Sequence, residues 1–380
     1  MKHCFSKYLL CLSMVFSTVA IHAERRIGTE ANPVKIGVVL PINDNSVDGK
    51  RMTEYYRGVL MACDSLKKEG ISIDICAWDV SRESDLSSVL SSAQAADRDL
   101  MIGPFYSNQV RTMADFTRRN NTLLLIPFSI DAPESSSHSN VFQVYQSAVD
   151  QNEATVRRFC NYFQNINPII VDCNDAGGAK GMFTSALRRE LQLRNITYRL
   201  TSLSSTDENF RNAFVSNKHN IVILNSSGRS SLNTIFGRLS SIKLNSPELQ
   251  ISLFGYTDWL AYANSQLENF YQYDVYLPST FYFNPLVTNT ETFINAYRAN
   301  FGQEMLQSWP RLSLTGFDHS VFFIRGLLQK GANFNGAATS NIKPLQTPLK
   351  FERIPGGGYQ NRAFMFVHYL TEQRIETINY

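Results

Sequence analysis

Short apolar runs that stop at turn residues and pass straight into helical periodicity recur along this chain. Few folds accommodate that alternation. The clearest case is Asp99 to Ser107, DLMIGPFYS. Leu100, Met101 and Ile102 form a short apolar run of the kind buried in a parallel sheet. Gly103-Pro104 stops the strand, and Ser107 precedes a helical stretch, 110–118. A strand, a tight turn and a hydroxyl at the next helix start make a small pocket lined by free backbone N–H groups. Its repetition points to a cleft that holds a small molecule.

Further apolar runs at 35–40, 71–78 and 123–126 alternate with helical spacing at 51–68 and 85–96. The alternation then restarts. Helices are expected at 150–163, 181–194, 207–216 and 231–242, and strands at 168–173, 196–200, 220–224 and 249–254. Strictly alternating elements imply parallel sheets covered on both faces. The expected fold class is therefore α/β, with two doubly wound parallel-sheet lobes. The chain crosses between them near 141–145.

The C-terminal remainder is too short for a third core. It comprises an extended segment at 276–283, helices at 290–301 and 314–330, and a hairpin of 349–353 with 363–369 around Gly356-Gly357-Gly358. These pieces are expected to complete the two sheets, so that the chain crosses more than once and forms a multi-strand hinge. The expected division is 1–23 as signal peptide, 34–144 plus 281–332 as the first lobe, and 145–280 plus 345–380 as the second.

The signal assignment rests on Lys2 and Lys7, the apolar run 9–20 and the sequence Ile21-His22-Ala23 before the cut. No cysteine follows a small-residue tripeptide there, so no lipid anchor is expected, and no later run reaches the length of a membrane span. The expected location is periplasmic or otherwise exported, and soluble. The formal charge is +3, reduced by two once Lys2 and Lys7 leave. Such a balance carries no footprint for nucleic acid or for an anionic membrane.

Cys63, Cys76, Cys160 and Cys173 lie outside the signal. Each pair places one thiol on a helix and one on the next strand. Either pair could bridge in an oxidising compartment, or all four are buried thiols. No cofactor or metal is expected. Gly177-Gly178-Ala179-Lys180-Gly181 lacks the spacing of a phosphate-binding loop. Asp172, Asn174 and Gly177 echo a calcium loop, but Ala176 and Phe183 stand where ligands are needed. No nucleophile–base pair can be assembled from His138, His219, His319 and His368, so the chain is not expected to be an enzyme.

In order, KIGVVLP (35–41), IGPFYS (102–107), IPFSIDAPE (126–134), FQVYQSAVDQ (142–151), GYTDW (255–259) and LTGFDHSVFFIRGLLQKG (314–331) resemble the type I periplasmic binding proteins. The Leu/Ile/Val-binding branch and its receptor relatives are the nearest in pattern. The segment 349–369, LKFERIPGGGYQNRAFMFVHY, further resembles binding-protein-like chains in which this fold follows a peptidoglycan-binding LysM module. No such module fits between Ala23 and Val34.

The resemblance implies a binding protein rather than an enzyme, closing on a small polar, amino-acid-like solute for uptake through a membrane permease or for sensing. It implies that Ser107 meets a ligand carboxylate. Ser129 and Asp131 stand where the family offers a backbone amide and a threonine to that group, and Asp258 stands near its acidic residue for a ligand amino group. From its position beside Ser107, Tyr106 is expected either to stack on a ligand or to line the sheet edge. Two departures from the pattern are visible. Asp131 would bring a negative charge to a docking carboxylate, and the aromatic residues expected near Gly178 and Ser226-Ser227 are missing. The alternative reading from a different class is a cell-envelope scaffold binding protein or peptidoglycan partners.

Overall fold

The computed structural model describes residues 27–82, 86–285, 287–337 and 343–380. The expected signal peptide lies outside them. Among the described residues the strands form two seven-stranded sheets. The first begins with β1 (Val34–Leu40), β2 (Ile73–Asp79), β3 (Leu100–Ile102), β4 (Leu123–Ile126) and β5 (Val141–Gln143). These lie in the order β2-β1-β3-β4-β5, all parallel. The second repeats the pattern with β6 (Ile166–Asp172), β7 (Arg199–Ser202), β8 (His219–Leu224), β9 (Ile251–Phe254) and β10 (Val275–Ser279), in the order β7-β6-β8-β9-β10. The inner strands β1, β3, β4, β8 and β9 are largely apolar and buried, as strands covered on two faces must be, while the edge strands β2 and β7 are mixed and partly exposed.

The C-terminal region corrects one expectation. The hairpin pairs β11 (Phe351–Arg353) with β12 (Tyr359–Asn361), and β12 adds parallel to β5 in the first sheet. Residues 363–369 do not return to it. They enter β13 (Met365–Leu370), which runs antiparallel to β10 and is followed by the edge strand β14 (Arg374–Asn379) in the second sheet. Thus 345–380 is split between the sheets rather than belonging to the second. The physical reason lies in β12: Tyr-Gln-Asn is polar and short, so it does not read as a strand, yet its pairing with β5 and β11 satisfies its backbone.

Helix boundaries differ modestly from the sequence reading. The stretch 85–96 holds two single turns, Ser87–Leu90 and Ala93–Ala96, because the Ser92 hydroxyl accepts from the Ala95 amide and restarts the helix. The helix Val47–Lys68 begins at Ser46, whose side chain accepts from the Gly49 amide. It packs against the long helix Leu312–Lys330 at very short range. A side chain at Gly58 would overlap the Ser313 carbonyl, and one at Gly316 would overlap the Tyr55 carbonyl. His319 is fully buried in this contact, with Nδ1 3.0 Å from the Tyr55 hydroxyl. Burial pushes its pKa down to about 3, which keeps the ring neutral. All four cysteines outside the signal are free thiols.

Among the described residues three passages join the halves: residues 144–147 after β5, 280–285 after β10, and 362–364 between β12 and β13. The first and third are laced together. Gln146 Nε2 donates to the Ala363 carbonyl at 3.2 Å, Gln360 Nε2 to the Tyr145 carbonyl at 3.0 Å, and Arg362 pairs with Asp150 at 3.0 Å. The first two passages leave the C-terminal ends of β5 and β10. Both parallel sheets therefore present their C-terminal edges to the hinge passages.

Candidate functional site

In doubly wound sheets, ligands bind outside the carboxyl ends of the strands, at the point where strand order reverses. That point lies between β1 and β3 in the first sheet and between β6 and β8 in the second.

In the first sheet, β3 ends at Gly103, with φ +119°. A side chain there would overlap the Val39 carbonyl, so only glycine permits the turn. The turn delivers Phe105, Tyr106 and Ser107 to the edge. Tyr106 is buried, with its ring edge-on to Phe105 at 4.9 Å and the Arg82 guanidinium 4.6 Å above it. Burial raises the pKa of its hydroxyl, and the carboxylates of Asp48 and Asp44 add to this against Arg82. Ser107 is exposed, and the backbone of Tyr106, not a side-chain hydroxyl, caps the 3₁₀ turn Ser107–Gln109.

After β4, Ser129 is buried and donates to the Asp131 carbonyl at 2.9 Å, while Asp131 itself is exposed. Gln143 at the end of β5 clamps this turn. Its Nε2 donates to the Ser129 carbonyl at 3.1 Å and the Ile130 carbonyl at 2.8 Å, and its Oε1 accepts from Ser135 at 2.9 Å. Between the two turns stands an aromatic cluster that sequence reasoning missed. Phe128 meets Tyr55 at 5.0 Å, Tyr145 at 5.7 Å and Phe105 at 6.0 Å, all edge to face. The signal was present as Pro-Phe directly after two strands, in IGPF and IPF.

In the second sheet the crevice between β6 and β8 is sealed by the glycine-rich loop. The carboxylate of Asp175 accepts from the amides of Gly177 (3.0 Å) and Gly178 (3.1 Å) and from the hydroxyls of Ser226 (2.5 Å) and Ser231 (3.3 Å). The Ser226 hydroxyl is the largest of the bonds that hold its pKa below the usual carboxylate range. Ala179 bridges to Ser226, and the Lys180 amide donates to the Asn225 carbonyl at 2.8 Å. Gly178 therefore serves close backbone packing, since a side chain there would overlap the Gly228 amide, and Asn174-Asp175 serve the turn.

Lys180 emerges from this clip. Its ammonium is 2.9 Å from Asp258 Oδ2 and 5.3 Å from the ring centroid of Tyr256. Tyr256 is itself fixed by donating to the Leu224 carbonyl. Beside them lies a cavity of about 190 Å³. Its walls are the first turns of the helix Ala148–Tyr162, Lys180, Phe183, Tyr256 to Asp258, Pro278 to Thr280, and Phe364. It thus sits at the C-terminal edge of the second sheet, against the hinge passages.

Of the five residues singled out from the sequence, Tyr106, Ser107, Ser129 and Asp131 stand at the edge of the first sheet and Asp258 at that of the second. The cavity contains Asp258 and none of the other four. A larger groove of about 660 Å³ flanks the second and third passages, between Thr290, Lys343 and Glu376, and contains none of the five. Among the described residues no cluster of His, Cys, Asp and Glu could hold a metal ion, and no helix is long and apolar enough to cross a membrane.

No protein-family model matches the chain, and no curated protein matches it in sequence. Solved structures do match. A putative branched-chain amino acid ABC transporter from Rhodospirillum rubrum superposes with a TM-score of 0.58 at 12% identity, covering 91% of this chain and 100% of that one. Full-length LpoA from Haemophilus influenzae gives 0.55 at 14% identity, covering 91% of this chain and 59% of that one. Identities this low establish fold alone. Sheet order, the three passages and these superpositions together give the chain the two-lobed α/β fold of the type I periplasmic binding proteins.

Proposed function

We propose that this chain is an exported, non-enzymatic binding protein whose two lobes close on a small polar solute. The observation that carries the reading is the cavity of about 190 Å³ at the C-terminal edge of the second sheet, lined also by Thr280 and Phe364 of the passages that join the lobes. Closure excludes water from that edge, so hydrogen bonds to the solute strengthen. The solute's higher affinity for the closed form drives the hinge. The Rhodospirillum rubrum neighbour, a putative branched-chain amino acid ABC transporter, supports uptake through a membrane permease as the purpose. Tyr106, Ser107, Ser129 and Asp131 are the first-lobe residues proposed to meet the solute on closure, opposite Asp258.

The test is a melting-shift screen of pure protein against fractionated metabolite extract, amino acids and organic acids included. A true ligand at a hundred times its Kd adds about 2.7 kcal/mol of stability. A well-folded protein that no fraction stabilises would refute solute binding. One observation favours a second reading as an envelope scaffold: the aromatic cluster of Phe105, Phe128 and Tyr145 stands at the first lobe's edge. That reading predicts that envelope proteins or peptidoglycan are retained on the immobilised chain with no solute-induced closure.

A further inference from the structure

One acid and one base line the second-lobe cavity, Asp258 and Lys180, and they are bonded to each other at 2.9 Å. Lys180 is not a loose surface lysine that swings across by chance. Its amide is tied to the Asn225 carbonyl, and the residue before it is bridged to Ser226. Its ammonium also rests over the Tyr256 ring. The backbone clip built on Asp175 therefore aims the side chain at Asp258 before any solute arrives. The rest of the lining is uncharged. Asn152 and Thr280 present a carboxamide and a hydroxyl that bond to no other described residue, beside the rings of Phe183 and Phe364.

We infer that Lys180 is a specificity-determining residue: it fills the place on Asp258 that a solute's ammonium would take, so the cavity admits an uncharged, hydroxyl- or amide-bearing group. This rests on the solute-binding reading and narrows it. An ammonium entering the cavity either displaces Lys180 from Asp258 or shares the half-exposed carboxylate with it, and in both cases it sits beside a second cation. A neutral polar group leaves the pair intact and bonds to Asn152 and Thr280. A free carboxylate meets Asp258 at close range while Lys180 is already engaged.

The experiment uses probes, so it does not depend on knowing the natural solute. Amide spectra of the full chain are recorded during titration with n-butanol, n-butylammonium chloride and sodium chloride. In the wild type, butanol should move the amides of Thr257, Asp258 and Thr280 saturably, and butylammonium should move them no more than sodium chloride does. In Lys180→Met and Lys180→Gln, butylammonium binding at Asp258 should strengthen by about fivefold, the worth of an exposed ion pair. Adding Asp258→Asn should abolish that gain. Two lysine replacements guard against one that perturbs the loop, and the Tyr256 and Ser226 amides report its integrity. Butylammonium acting on the wild type as strongly as on the variants would overturn the inference, as would butanol failing to act.

The two readings fail differently. An extract in which no fraction binds removes solute binding and leaves the charge assignment standing. A captured solute with its ammonium on Asp258 keeps solute binding and removes this inference.

Discussion

Asp318 illustrates how one buried side chain fixes a distant segment. It sits inside the helix Leu312–Lys330, and its carboxylate accepts the amides of Leu345 (2.8 Å), Gln346 (2.9 Å) and Thr347 (2.7 Å). Gln346 in turn caps the start of that helix, accepting from the Arg311 amide at 2.8 Å, and its carbonyl receives the Tyr282 amide of the second passage. Asp318→Ala strands three donors, each worth about 1 kcal/mol. Urea denaturation should show a loss of about 3 kcal/mol, and a loss below about 1 kcal/mol would show that water replaces the carboxylate. The sequence suggested none of this. Asp318 precedes His319 in an apolar helix, and nothing local marks a partner 27 residues on. Lys180 and Asp258, 78 residues apart, were hidden for the same reason. Side-chain pairs across a fold leave no periodic trace, whereas the strand-end glycine at 103 and the apolar runs do.

At the level of elements, the antiparallel end of the second sheet is held by His368 on β13. Its Nε2 lies 2.7 Å from Asp274 and its Nδ1 3.0 Å from Glu376 on β14, with the ring stacked on Tyr276 at 3.8 Å. Asp274 also accepts from Ser252, which contacts His219 at 2.7 Å. Only the protonated imidazole donates through both nitrogens at once. Burial opposes the charge on His368, but the bonds to Asp274 and Glu376 outweigh it and hold the pKa above its ordinary 6.5. A pKa raised by folding contributes stability in full below about 6.5, and this contribution is lost as pH rises through the folded value. Melting temperatures measured from about pH 6 upward should therefore fall for the wild type and change less for His368→Gln; parallel curves would exclude the clamp. Asp274 has the opposite sense. Burial raises its pKa, but His368 and Ser252 outweigh that and leave it lowered, so its contribution fades only as pH falls below the usual carboxylate range.

The same scale explains what the sequence made legible. The inner parallel strands β1, β3, β4, β8 and β9 read clearly because burial on both faces makes them largely apolar runs, whereas β5 lies where the sequence suggests only a crossing and the mixed edge strand β7 overlaps the expected 196–200 only in part. β12 escaped because edge pairing imposes no such run, and Gly356-Gly357-Gly358 marked a turn without saying which strand follows it.

For the whole molecule, the central claim is a hinge. Two separately packed cores are joined by passages, the first and third of which are tied to each other by the Gln146–Ala363 bond. Such an arrangement bends while each core keeps its own packing. The direct test is small-angle X-ray scattering during titration with an extract fraction that raises the melting temperature. Lobe closure predicts that the radius of gyration shrinks with the same midpoint as the stabilisation. A raised melting temperature at unchanged radius would contradict it.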